Sequence, residues 1–250
     1  MPSNGDKDES AIPVKQASFH RKGFTLLELL VVMAVMGLLM GFVGFTLLGG
    51  GGEELGSAQR EILGLVQQAK TRAALSGNET RLIVNSEETD RERYHRYVEL
   101  VVKDFNASTN ETKWLVMGEG MLLPDGVYFV PEDDSYCEVA EYWKEDAYTV
   151  WSISEDDFEL MDVFKGERKQ GGGTKFRYLA FSSIGSVTYP SSSGSGSLQQ
   201  SPRLVIANGS PNPVSTGKAI RFLDPETIAG ILMRRFGGYA VLAPDDFRTP

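Results

Sequence analysis

A carboxylate inside an apolar run is the first place to look for chemistry in this chain. Glu28 follows the Gly23-Phe24 step by a few residues, and from Leu29 to Leu48 come twenty residues without a charge. An ionisable group at membrane depth costs roughly 2.5 to 3.5 kcal/mol on insertion scales, which makes it a functional candidate by default. Glu28 lies one turn from the start of the run and can snorkel, which lowers that cost. A cationic partner would lower it further. A cut after Gly23 would create one, the new amino group of Phe24.

The element that positions Glu28 is a helix of membrane length. Twenty residues at 1.5 Å each span roughly 30 Å, the thickness of a bilayer's hydrocarbon core. His20, Arg21 and Lys22 precede the run, and Glu53 and Glu54 follow it. Positive charge stays on the cytoplasmic side, so the amino end faces in and the bulk of the chain faces out. A buried core helix seldom needs so long an uncharged run. A secretory signal has an apolar core of about 7 to 15 residues and ends in a small-residue cleavage site, which is missing here. A plain anchor accounts for everything except Glu28 and the Gly-Phe step.

Those two exceptions carry a resemblance. Lys22-Gly23-Phe24-Thr25-Leu26-Leu27-Glu28-Leu29-Leu30-Val31-Val32 resembles the prepilin signal of type IV pilins and type II secretion pseudopilins. The resemblance implies cleavage after Gly23 by a prepilin peptidase and methylation of the new amino terminus at Phe24. It also implies that Glu28 pairs with a neighbouring subunit's amino terminus during assembly, and that Arg21 and Lys22 are the basic residues of the leader. Leu123-Pro124-Asp125-Gly126-Val127 and Phe181-Ser182-Ser183-Ile184-Gly185 are similar to phrases in the β domains of minor pseudopilins. In the second, Ser183 and Ile184 stand where Pro-Asp is usual.

Gly49 to Gly52 depart from that family's pattern. Each glycine costs about 1 kcal/mol relative to alanine in a helix interior, so four together soften or break a helix. A hinge at the membrane exit and a tolerated spacer both fit. Beyond them Leu55, Ala58, Ile62, Leu65, Val66, Ala69 and Ala73 mark the apolar face of an amphipathic helix, with Gly77-Asn78 as its stop. Strand-like runs follow: Arg81–Asn85, Tyr94–Val102, Thr112–Met117, the turn and strand from Leu122 to Phe129, Lys175–Phe181, Ser186–Tyr189, Arg203–Ala207 and Lys218–Leu223. Gly166–Thr174 and Ser191–Pro202 read as loops, Pro225–Phe236 as a short helix, and Ala240–Pro250 as an extended tail. One long helix and then strands is an α+β layout, with the amphipathic half packed on an antiparallel β-sheet domain in pilin-like fashion. The expected organisation is a leader over 1–23, a transmembrane and assembly helix over 24–48, a glycine hinge over 49–52, an amphipathic helix over 53–77 and a periplasmic β-rich domain over 78–250.

The 250 residues carry a net charge of -9 and no basic stripe beyond Arg91, Arg93 and Arg96, which argues against nucleic acid as a partner. One cysteine, Cys137, allows no intrachain disulfide, and with His95 it makes only an unsupported nucleophile pair. Glu132-Asp133-Asp134 and Glu155-Asp156-Asp157 could hold calcium but lack the alternation of a calcium loop and read as solvated surface. Asn78, Asn106, Asn110 and Asn208 begin glycosylation sequons, which in a bacterial envelope protein read as chance. Tyr142, Trp143, Tyr148 and Trp151 read as core or strand-face aromatics, with a partner surface as the other use.

The expectation is therefore a minor pilin or pseudopilin subunit in the inner membrane, with its amino terminus cytoplasmic and its domain periplasmic. Its partners would be the prepilin peptidase, other subunits, the inner-membrane assembly platform and lipid. No catalytic residue, metal or other cofactor is expected, so it would not be an enzyme. The alternative is a periplasmic enzyme or ligand-binding domain that uses the run only as a tether.

Overall fold

The computed structural model describes residues 26–133, 136, 142–153, 158–164, 166–189, 200–213, 218–234 and 238–249, with the side chains of 37–51 and of Phe164 excepted. The chain divides into two compact units at Leu48/Gly49. In the first, helix α1 (Leu26–Ser76) opens with an apolar surface broken by Glu28: Leu26, Leu27, Leu29, Leu30, Met33, Val35 and Met36 are all exposed. The backbone stays helical through Gly49–Gly52. Among the described residues no helix is long and apolar enough to cross a membrane, but the run from Leu29 to Leu48 extends into residues whose side chains lie outside that set.

In the second unit α1 becomes amphipathic as expected. Leu55, Ala58, Ile62, Val66, Ala69 and Ala73 are buried, and Leu65 packs against them half-buried. Burial of a leucine, isoleucine or valine contributes roughly 1.5 to 3 kcal/mol, far above the few tenths that separate most helix propensities, so tertiary packing holds this half. The helix stops at Gly77, whose φ of 66° and N–H to the Ala73 carbonyl (3.0 Å) make the left-handed cap.

The strands form two antiparallel sheets. The first contains β1 (Thr80–Asn85), β2 (Tyr97–Asn106), β3 (Glu111–Val116), β4 (Met121–Leu122), β6 (Phe158–Phe164), β7 (Glu167–Gln170) and β8 (Thr174–Phe181). Its order is β1-β8-β6-β7-β3-β2-β4, and because β1 also pairs with β2 the six strands other than β4 close into a ring. Strand alternation gives β1, β2 and β8 two apolar faces. Leu82, Val84, Val98, Leu100, Leu179 and Phe181 pack toward α1. Ile83, Val101, Phe176, Tyr178 and Ala180 fill the ring with Trp114, Phe158 and Leu160. A small barrel of this kind is plugged by its own side chains. Arg81 enters the plug: its guanidinium lies 4.3, 4.5 and 4.0 Å from the ring centres of Trp114, Phe158 and Tyr178 and pairs with Glu79 at 2.6 Å.

The second sheet has the order β10 (Ile220–Phe222), β9 (Arg203–Pro211), β11 (Ile228–Met233) and β12 (Tyr239–Leu242), with β5 (Val127–Phe129) continuing along the β10 edge of β9. Leu204, Ile206, Ile231 and Met233 face the α1 core. Val205, Ala207 and Ile228 face a further cluster with Tyr94, Trp143, Phe222 and Phe247 of the short helix α2 (Pro244–Phe247). Gln59 of α1 donates to the carbonyls of Gly230 and Leu242 (2.9 and 3.2 Å), which ties the helix to this sheet.

Four readings of the sequence are corrected. The described part of the expected helix Pro225–Phe236, residues 225–234, is not helical but contains β11: its six-residue apolar run is buried on both faces, a pattern that periodicity cannot tell from a buried helix. A side chain at Gly230 would sit 2.9 Å from Phe247 and 3.0 Å from the Leu204 carbonyl, a close approach suited to strand packing. The tail beyond Ala240 contains the end of β12 and then α2. Gly166–Thr174 contains β7, whose polar residues pair with β3 and β6. Ser186–Tyr189 makes only a single bridge, Val187 to Phe181.

Candidate functional site

Arg21, Lys22, Gly23 and Phe24 lie outside the described residues. Glu28 stands in the first turn of α1, where unsatisfied amide N–H groups and the helix dipole favour negative charge. Around it Leu26, Leu27, Leu29 and Leu30 are 61 to 83% exposed. Glu28 thus stands among exposed leucines at the start of the helix. A helix start of this composition is suited to insertion into lipid or to packing against other helices.

The two family-like phrases fold into turns that hold the β domain to its neighbours. In the first, Val127 N–H donates to the Pro124 carbonyl (3.0 Å), and Arg96 holds the turn through the Leu123 carbonyl (3.0 Å) and the Asp125 carboxylate (2.6 Å). In the second, Gly185 N–H donates to the Ser182 carbonyl (2.7 Å), and the turn seats on α1 with Lys70 and Ala74 beside Gly185.

Reading of the sequence missed a buried ion pair at the mouth of the barrel. Glu99 is 4% exposed, and Arg168 reaches it at 2.8 Å and Asp162 at 3.2 Å. Burial raises the Glu99 carboxyl above its ordinary range, and the Arg168 charge opposes that rise. A cleft of about 500 Å³ opens over these groups. The available signal was the lone acid in Tyr97-Val98-Glu99-Leu100-Val101, an apolar strand in which a charge needs a partner.

The weaker candidates do not assemble into a catalytic constellation among the described residues. Cys137 and Asp134 lie outside that set, as do residues 154–157, and no group of three or more His, Cys, Asp or Glu is arranged to hold a metal within it. Glu132 is half-buried, which pushes its carboxyl up to about 7 against the opposing charge of Arg177. Trp143 and Trp151 are buried in different clusters, so the four aromatics form no common surface.

His95 is buried, and its φ of 53° interrupts the strand expected from Tyr94. Burial lowers its pKa from 6.5 to about 4; the Phe129 backbone works against the shift and the Arg177 charge adds to it. The unfolded chain therefore takes up a proton near 6.5 that the folded domain refuses until about 4. This stability is complete above pH 6.5 and is lost as pH falls toward 4, by about 3 kcal/mol in all. Glu132 acts in the opposite sense: the folded domain keeps a proton below about 7 that the unfolded chain releases down to 4.5, so stability grows as pH falls through that window. The two slopes oppose each other. Urea midpoints of Glu132→Gln are expected to fall more steeply than wild type between pH 6.5 and 5, and equal slopes would refute the opposition.

Comparison with known proteins supports the amino-terminal part of this description. Residues 18–43 match the family model described as the prokaryotic N-terminal methylation motif. The chain therefore carries a prepilin-type signal where Gly23, Phe24 and Glu28 were singled out. No curated protein sequence matches. Among solved structures, the minor pseudopilin EpsH from the type 2 secretion system of Vibrio cholerae is similar, with 13% identity over 76% of this chain and 96% of that one and a TM-score of 0.35.

Proposed function

We infer that this protein is a prepilin-like minor subunit, cleaved after Gly23, methylated at Phe24 and assembled through its first helix into a type II secretion pseudopilus or a type IV pilus. The observation that carries the reading is the methylation motif over residues 18–43 joined to an exposed, apolar helix start with Glu28 in its first turn. The α1 segment beyond Gly52, packed across two antiparallel sheets, supports a pilin-like domain.

On this reading the protein sits in the bacterial inner membrane with its amino terminus in the cytoplasm and its domain in the periplasm. It meets the prepilin peptidase, other subunits, the assembly platform and lipid. It is not an enzyme, because the cutting and methylating chemistry belongs to the peptidase.

Glu28 gives the test. Glu28→Gln keeps the shape and removes the charge, so insertion into the membrane is expected to be at least as good as wild type. The charge-assisted bond to a neighbour's amino group is lost, and such bonds are about twice as strong as neutral ones. Co-purification with wild-type partner subunits in sheared filaments should fall at least tenfold. Wild-type incorporation of a correctly processed Glu28→Gln protein would refute the assembly role.

A further inference from the structure

Four of the seven asparagines begin an Asn-x-Ser/Thr sequence: Asn78, Asn106, Asn110 and Asn208. The fold separates these four. A transferase that modifies such an asparagine must reach both the amide and the hydroxyl two residues later. Thr80, which serves Asn78, is fully buried in β1. Thr112, which serves Asn110, lies within β3 opposite Phe105. Ser210, which serves Asn208, lies within β9 opposite Arg221.

Asn106 and Ser108 are different. Asn106 ends β2, Ser108 lies in the turn of residues 107–110 that leads into β3, and every residue from 104 to 111 is exposed. Ser108 N–H donates to Asn106 Oδ1 at 3.0 Å, which holds the pair in one short loop. Asp104 stands two residues before Asn106 on the same face of the strand. The hairpin tip thus presents an acid, an amide and a hydroxyl at alternate positions, clear of the packed core.

We propose that Asn106 is an N-glycosylation site, modified by a membrane oligosaccharyltransferase that uses a polyprenyl-diphosphate-linked oligosaccharide. The Asn106 Nδ2 attacks C1 of the first sugar. A C–N bond forms, the C1–O bond to phosphate breaks, the polyprenyl diphosphate leaves with the electron pair, and a transferase base takes the amide proton. Asp104 is the recognition acid and Ser108 the recognition hydroxyl. The inference rests on the reading above, which carries this domain across the membrane to where such transferases work.

Trypsin cuts after Lys103 and Lys113 and releases the hairpin as one peptide, Asp104–Lys113. Full-length protein from its own cells is digested, and that peptide and the amino-terminal peptide are weighed and fragmented. The expected result is carbohydrate on Asn106, lost in Asn106→Gln and Ser108→Ala and retained in Asn110→Gln. An unmodified hairpin peptide, or sugar only on Asn110 or a hydroxyl, overturns the proposal. The amino-terminal peptide reports separately: methylated Phe24 upholds the subunit reading even if the hairpin is bare, and an intact leader refutes that reading.

Discussion

On the proposed reading, Gly23→Val protein is expected to keep its leader in cells that process the wild type, so that its amino-terminal peptide still begins at Met1. Glycine before the cut has no side chain, so the scissile bond can lie close against a peptidase wall. Valine adds a branched Cβ and restricts the backbone as well. Processing should fall to a few per cent or less. The consequence reaches Glu28: without the cut there is no amino group on Phe24, so neighbouring subunits lack the cation that the acid would pair with. Gly23→Val and Glu28→Gln should therefore both fail in filaments, but only the first should retain the leader. Mass spectrometry of the amino-terminal peptide separates them. A wild-type protein isolated from its own cells with Met1 to Lys22 still attached would refute the assignment of Gly23.

Trp114→Ala should be the most damaging single change within the barrel. Trp114 is 1% exposed, meets Phe158 edge-on at 5.1 Å between ring centres, and carries the Arg81 guanidinium over its face at 4.3 Å. Truncating a buried tryptophan to alanine costs about 3 to 5 kcal/mol. Domains are stable by only about 5 to 15 kcal/mol, so at least about a fifth of the total is lost. The cation–π contact to Trp114 is lost with the indole, while the Phe158 and Tyr178 faces still hold Arg81. Trp114→Phe should recover more than half of the loss, because an aromatic face remains for Arg81. Urea unfolding followed by circular dichroism measures both. A midpoint for Trp114→Ala within error of wild type would mean that the ring interior is not a packed core.

The helix was legible because its cause is local. Leu55, Ala58, Ile62, Val66, Ala69 and Ala73 repeat at three and four residues, and Gly77 ends the pattern, so periodicity and cap agree. The strands with two apolar faces, β1, β2 and β8, were legible as elements for the same reason. Their pairing was not. Nothing in Arg81–Asn85 indicates that Leu82 meets both Leu100 and Leu179, since closure depends on registers set by residues far away in the chain. β7 was hidden by its composition: Glu167-Arg168-Lys169-Gln170 is a polar strand, stabilised by cross-strand partners that a propensity reading cannot see. At the amino end the residue types alone identified Glu28 as unusual, because a charge in an apolar run needs a reason wherever it lies. The Glu99–Arg168 pair follows the same logic and was missed because one acid inside a strand also fits a solvated edge.

The ring is assembled from two three-stranded pieces: β1-β2-β3, complete by Val116, and β7-β6-β8, which starts at Phe158. They join at two seams, β3 with β7 and β1 with β8. While the chain is being made, the first piece exists with both edges open until the second is delivered. Open edges on an apolar sheet invite pairing with whatever strand arrives first, including one from another molecule. If the second piece came from a neighbouring chain, the same seams and the same buried side chains would form, giving an exchanged dimer that is locally indistinguishable from the monomer. Non-local closure of this kind is slow compared with hairpin formation. The period between Val116 and Thr174 is therefore when crowding by sister chains matters most, and dilute synthesis would favour the self-closed ring.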